Sequence, residues 1–273
     1  MVEAIDSEDD SMPLVANSAL INSGSLLLVD MMHSMNELDG VPVDGDSITN
    51  IAAPQLMELT SSNSSDAQAI FNTNAESTDM VLTRTEDGGL AAVVSQITDS
   101  LGRYSIITFP LALREYILEN PNHSYYLGVI ENISNVAIYE SGTQPIEAGI
   151  YNNSGATSSH LVMLQHGLAR PYGTQDTVLG QRRWPSESTT GPKYVSVGAS
   201  AFRGSVPEEI DDLIAAFVWG GYRSMGGPSL NSARSSILYQ IYCEDLTVSG
   251  NSYSDVDTAQ YSYFTSIFDV GST

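Results

Sequence analysis

The sequence predicts a mainly β protein, an antiparallel β-sandwich with a few short helices. Three observations carry this. Runs rich in branched and aromatic residues recur along the whole length from Ser25 onward. Clusters of Asp, Gly, Asn and Pro punctuate those runs. Helix-period stretches are few and short, whereas a parallel α/β sheet needs a helix after nearly every strand. At 273 residues the chain can bury roughly three quarters of the surface its unfolded form exposes. No disulfide is needed, and the single Cys243 cannot form one within the chain. Its apolar setting, "ILYQIYCEDL", reads as a buried small side chain.

In chain order, residues 1–23 read as an acidic arm bearing Glu3, Asp6, Glu8, Asp9 and Asp10, and residues 24–273 as one sandwich domain. "SLLLVDMM" is the first strand, followed by the Asp- and Gly-rich loop "NELDGVPVDGDSITN" and a polar stretch. "DMVLTRTEDGGLAAVVSQI" reads as two strands around Glu86-Asp87-Gly88-Gly89. "FPLALREYILENP" reads as a short helix that stops at Asn120-Pro121, and "HSYYLGVIENISNVAIYES" as a strand. A long irregular segment, "ARPYGTQDTVLGQRRWPSESTTGP", precedes the strand "KYVSVGASAFRGS". "VPEEIDDLIAAFVWGG" is expected to be a helix over 206–219. Ser205 and Glu208 have capping-box spacing, Pro207 suits the first turn, and Ile210, Leu213, Ile214, Phe217 and Val218 form a stripe. "SILYQIYCEDLTVSGNSYSDVDTAQYSYF" closes the chain as strand, turn and helix.

The charge is strongly acidic: 33 acidic against 10 basic residues, formally −23, with Lys193 the only lysine. Such a surface repels phosphate backbones and anionic lipid heads, so nucleic acid is an unfavourable partner. The start, "MVEAIDSEDD", is acidic where a secretory leader is basic. "ALINSGSLLLVDMM" is interrupted by Asn22, Ser23, Gly24 and Ser25 and falls short of the roughly 20 apolar residues of a membrane span. No leader and no membrane insertion are therefore expected.

Candidate chemistry is sparse. Glu209-Ile210-Asp211 looks like the opening of the acidic signature of laminarinase-like glycoside hydrolases, but Leu213 and Ile214 stand where its last glutamate belongs. On the expected helix, Glu208, Glu209 and Asp211 do not face one another as a retaining carboxylate pair must. Asp44 and Asp46 in "DGDSITN" lack an EF-hand's later positions, held here by Thr49 and Gln55, and turn chemistry competes there with a looser Ca²⁺ site. His33, His123, His160 and His166 have no metal-ligand spacing. No resident cofactor is expected, calcium being the one candidate. Trp184 with Arg182 and Arg183, and Tyr172 earlier in the same irregular segment, are candidate contacts for a sugar or a subunit interface.

The closing unit resembles the end of concanavalin A-like and laminin G-like jelly rolls. Ile241, Tyr242 and Leu246 stand at the strand's apolar positions, Ser249-Gly250-Asn251 at the turn, and Val256, Tyr263, Phe264 and Ile267 on the helix stripe. The usual Arg before Ile-Tyr is Gln240. "REYILENPNHSYYLGVIENIS" is similar to a phrase in tailed-bacteriophage virion proteins that carry such sandwiches. The resemblance implies a jelly-roll sandwich with a non-enzymatic structural role in a virion, as a capsid decoration, tail or fibre component. Such a protein is made in the host cytoplasm, joins other virion proteins as a homo-oligomer, and can meet a host-surface glycan. A carbohydrate-binding module and a laminarinase-like glycoside hydrolase are the alternatives.

Overall fold

A computed structural model describes residues 20–36, 40–97, 102–136, 146–153, 159–165, 168–169, 177–183, 190–202, 204–221 and 233–268. In chain order the strands are β1 (Ser25–Asp30), β2 (Ser47–Ile48), β3 (Ala69–Thr73), β4 (Met80–Arg84), β5 (Leu90–Val94), β6 (Tyr104–Thr108) and β7 (Tyr125–Asn135). They continue as β8 (Ile146–Asn152), β9 (Ser159–Gln165), β10 (Leu168–Ala169), β11 (Val178–Arg182), β12 (Gly191–Ala199), β13 (Leu213–Gly220) and β14 (Ser235–Asp245). The α-helices are α1 (Ala53–Thr60), α2 (Leu111–Glu119), α3 (Leu246–Ser249) and α4 (Tyr253–Phe268). Among the described residues no helix is long and apolar enough to cross a membrane.

The strands form two antiparallel seven-stranded sheets, as expected for a sandwich. One runs β11-β12-β7-β14-β5-β4, the other β10-β9-β8-β13-β6-β3-β2. Strand β14 organises the first sheet. One edge pairs with β7 along its length, while β5 and β1 share the other, at Ser236–Leu238 and Gln240–Glu244 respectively. Alternation then divides its side chains. Leu238, Ile241 and Cys243 join the core between the sheets, which Phe71, Ile107, Phe217 and Trp219 fill from the other side. Trp219 is fully buried and donates through Nε1 to Ser236 Oγ at 3.0 Å.

Segment 206–219 is not the helix its pattern suggested. It is a 3-10 turn, Ile210–Asp212, followed by β13. Every residue from Leu213 to Trp219 is apolar, so helical and strand periods fit equally well. Burial on both faces explains the run: Leu213, Ala215, Phe217 and Trp219 enter the main core, while Ala216 and Val218 pack outside the sheet with Ile106 and Tyr151. Ser205 does not cap a helix; its backbone N–H donates to Ser159 Oγ at 2.9 Å.

One part of the inter-sheet space is charged. Glu131 of β7, Glu147 of β8, Lys193 of β12 and Arg234 ahead of β14 are all at least nine-tenths buried. Arg234 spans the sheets, with Nη2 3.2 Å from Glu131 Oε2 and Nη1 3.3 Å from Glu147 Oε2. A bulge between Ile146 and Ala148 supplies the extra residue that turns Glu147 inward. Burial pushes the Glu131 carboxyl well above its ordinary value of 4.5, against the pull of Arg234.

The sign of the pH effect follows. The native state holds this proton more tightly than the unfolded chain does. The associated stability is complete below the ordinary carboxylate range and is lost as pH rises toward the raised value. Between about pH 5 and 8, urea unfolding should therefore show the parent losing stability that Glu131→Gln retains. A parent that gains stability over the variant on raising the pH would mean that Arg234 and Lys193 hold Glu131 ionised.

Candidate functional site

Helix α4 lies on the outer face of the first sheet, where the closing strand, turn and helix meet. Its start is a reciprocal cap: Asp255 N–H donates to Ser252 Oγ at 3.2 Å, and Ser252 N–H donates to Asp255 Oδ2 at 3.0 Å. Ahead of it, Asp245 caps α3 by accepting Thr247 N–H at 2.8 Å and Val248 N–H at 3.1 Å. Gly250, at φ +74°, ends that turn. The second oxygen of the fully buried Asp245 meets Tyr116 Oη and His123 Nδ1, each at 2.7 Å.

Two anchors fix α4. Tyr263 and Phe264 pack with Leu20, Ile130, Tyr194 and Tyr239, and Tyr263 Oη donates to Asp30 Oδ2 at 2.7 Å. The second anchor is Asp257. It accepts Arg182 Nε at 3.0 Å and Nη2 at 2.6 Å through Oδ2, and Tyr194 Oη at 2.9 Å and Ser196 Oγ at 2.6 Å through Oδ1. Tyr126 Oη joins this network through Tyr194 Oη. Arg182 also lies 4.2 Å above the Tyr261 ring. At the start of the helix the Tyr253 ring lies against Gly180 and Gly198, which are paired across β11 and β12. A Cβ on Gly198 would come within 2.8 Å of Tyr253 Cδ2, and one on Gly180 would overlap the ring outright. Gly180→Ala is therefore expected to cost about 1–3 kcal/mol through overpacking, read by urea unfolding. An unchanged midpoint would show that the ring is not seated there.

Between α4, the end of β14 and the segment around Leu20 lies a pocket of about 200 Å³. Tyr242, Glu244 and Gln260 are its buried polar residues, and Asn22, Asn251 and Asp255 lie nearer solvent. Leu20, Val256 and Ala259 add apolar surface. Glu244 is pre-positioned: Oε2 accepts from Tyr242 Oη at 2.6 Å, and Oε1 accepts from Asn251 Nδ2 at 2.9 Å. Burial, with the Glu244 charge beside it, raises the Tyr242 phenol far above its ordinary value, so it stays a donor. Gln260 is 1% exposed, and its Nε2 has no hydrogen-bond partner. Beneath the same helix a bulge between Leu238 and Gln240 puts Tyr239 and Gln240 on one face. The buried Gln240 amide likewise has neither atom hydrogen-bonded. A buried amide donor without an acceptor costs free energy unless a water or a ligand supplies one.

The residues singled out by sequence fall elsewhere. Arg182 belongs to the Asp257 anchor, and Arg183 is exposed with Nη2 3.0 Å from Gln181 Oε1. Trp184, Tyr172 and the arm residues Glu3, Asp6, Glu8, Asp9 and Asp10 lie outside the described residues. Asp44 Oδ1 accepts Thr73 N–H at 2.8 Å and Asp46 Oδ2 accepts Val43 N–H at 2.7 Å, which is turn chemistry. No group of ligating side chains suited to a metal forms among the described residues. Glu208, Glu209 and Asp211 are exposed ahead of β13 and line no part of the pocket. Tyr242, Glu244 and Gln260 carried no signal as single residues. The one hint lay at Gln240 and Gln260, polar residues on apolar faces of the closing strand and helix.

No family model and no curated protein matches the chain. Among solved structures it is similar to Trypanosoma rangeli sialidase in complex with sialic acid: TM-score 0.42, 12% identity, covering 91% of this chain and 34% of that one. A covalent-intermediate structure of that enzyme with 2,3-difluorosialic acid gives TM-score 0.40 and 12% identity, covering 85% and 34%. The chain thus spans about a third of the length of the enzyme it matches. At these TM-scores the likeness carries no argument about mechanism. It does correct two expectations, that of a virion structural component and that of a chain without enzymatic activity: the similar solved structures are those of a sialidase and not of a virion protein. Neither expectation is carried further.

Proposed function

We propose that this chain is a carbohydrate-recognising β-sandwich of the concanavalin A-like, jelly-roll kind, and that the pocket under helix α4 receives a sugar. One observation carries the reading. Gln260, whose buried Nε2 has no acceptor, lines a small pocket together with Glu244, whose carboxylate oxygens each keep a lone pair after accepting from Tyr242 and Asn251. The amide lacks an acceptor, and a partner that also donates can use the free lone pairs of the carboxylate. A hydroxyl does both, and a pair of neighbouring hydroxyls serves both groups at once. Leu20, Val256 and Ala259 offer the C–H face of a sugar ring an apolar wall. This mixture of apolar lining and a few fixed polar groups suits a small-ligand site.

A broad glycan array tests the reading, comparing the parent with Gln260→Leu, which keeps the side chain's bulk and removes its amide. The parent should bind a defined subset, and the variant should lose at least about tenfold in affinity while melting within a few degrees of the parent. Silence across the array, or equal binding by both proteins, overturns it.

A further inference from the structure

We infer that the pocket takes a single sugar ring and refuses sugars that carry a negative charge. The inference rests on the glycan reading above and adds the class of ligand. It follows from what lines the pocket and what does not. Glu244 and Asp255 are acidic, and among the described residues none that lines the pocket is cationic. Arg182 is held on Asp257, and Lys193 and Arg234 lie between the sheets. An anionic sugar satisfies the Gln260 donor but brings its carboxylate into the field of Glu244 and Asp255, in a chain whose net charge is −23. An ammonium sugar is drawn to those carboxylates and keeps hydroxyls that can accept from Gln260 Nε2, so a positive charge carries no such penalty. A hydroxyl, on a neutral or an ammonium sugar, meets both walls.

Size limits the ligand further. About 200 Å³ is below the roughly 300–1,000 Å³ of pockets that enclose drug-sized ligands. One pyranose ring fits this scale, and a buried disaccharide does not. Asp255 and Ala259, both exposed, stand at the mouth, so a longer glycan would enter by its terminal residue and extend into solvent.

Ligand-observed NMR or calorimetry on the full chain separates the possibilities, using methyl glycosides of glucose, galactose and mannose, then glucuronate, N-acetylneuraminate, and glucosamine at mildly acidic pH. At least one neutral glycoside should bind, and glucuronate and N-acetylneuraminate each about tenfold or more weaker than it, a penalty that glucosamine should not share. In Asp255→Asn and Glu244→Gln the penalty against glucuronate should shrink several-fold. The exposed Asp255 site guards against a folding defect in the buried one. Binding of glucuronate or N-acetylneuraminate as tight as the best neutral sugar overturns the inference while leaving the glycan reading standing. Binding of no sugar at all removes the glycan reading, and the inference with it.

Discussion

Replacing Arg234 by Met should cost about 3–5 kcal/mol of stability, a fall of roughly 6–20 °C in Tm for a chain of this size. Arg234 bridges Glu131 and Glu147 across the two sheets, at 3.2 and 3.3 Å. Without it the Glu131 and Glu147 carboxyl groups face one another in the interior with Lys193 beside them. The cost is one of desolvation left uncompensated, so it depends on the partner that remains. Arg234→Met combined with Glu131→Leu should therefore lose less than Arg234→Met alone, a non-additivity that a double-mutant cycle reads directly. Equal losses, or a single-mutant loss below about 1 kcal/mol, would mean the cluster is hydrated rather than dry.

The second large effect is expected at Asp257. Its carboxylate is shared by Arg182, Tyr194 and Ser196, on two strands of the first sheet, so Asp257→Ala strips three donors of their acceptor at once. Hydrogen bonds to a charged group contribute about 1.5–3 kcal/mol each in isolation. Arg182 is about one-third exposed and can turn to water, which brings the expected loss to about 2–4 kcal/mol in urea unfolding. Because α4 forms one wall of the pocket, the same variant should weaken sugar binding in proportion to the fraction of helix undocked. Arg182→Lys should cost less but not nothing, since a point charge cannot reproduce two bonds to one carboxylate oxygen. A variant that binds normally after losing its anchor would detach the pocket from the docking of the helix.

Much of the architecture could be read from the chain. The hairpin at Glu86–Gly89, the strands at 25–30, 125–135 and 191–199, the helix ending at Asn120 and the closing strand–turn–helix all occupy the expected places. They share a local cause: alternation or a helix stripe with a turn residue at its end. Segment 206–219 misled because a strand buried on both faces has no alternation to show. Strands β6, β8, β9 and β11 passed unrecognised. Leu246 reads as the end of the strand, yet Asp245 caps there and Leu246 opens α3. The site was less legible. Arg182 reads as an exposed contact because its partner is 75 residues away. A glutamine looks the same in sequence whether its amide meets water, a neighbour or nothing. Only the docking of α4 over β14 gives Gln260 its meaning.

The most direct test is to follow the side-chain amide of Gln260 by NMR while titrating the parent with a neutral methyl glycoside. The account predicts that the two Nε2 protons shift as the sugar binds, together with the backbone signals of Glu244 and Asn251. A glycoside that binds while these signals stay fixed would place the site elsewhere on the molecule and contradict the account.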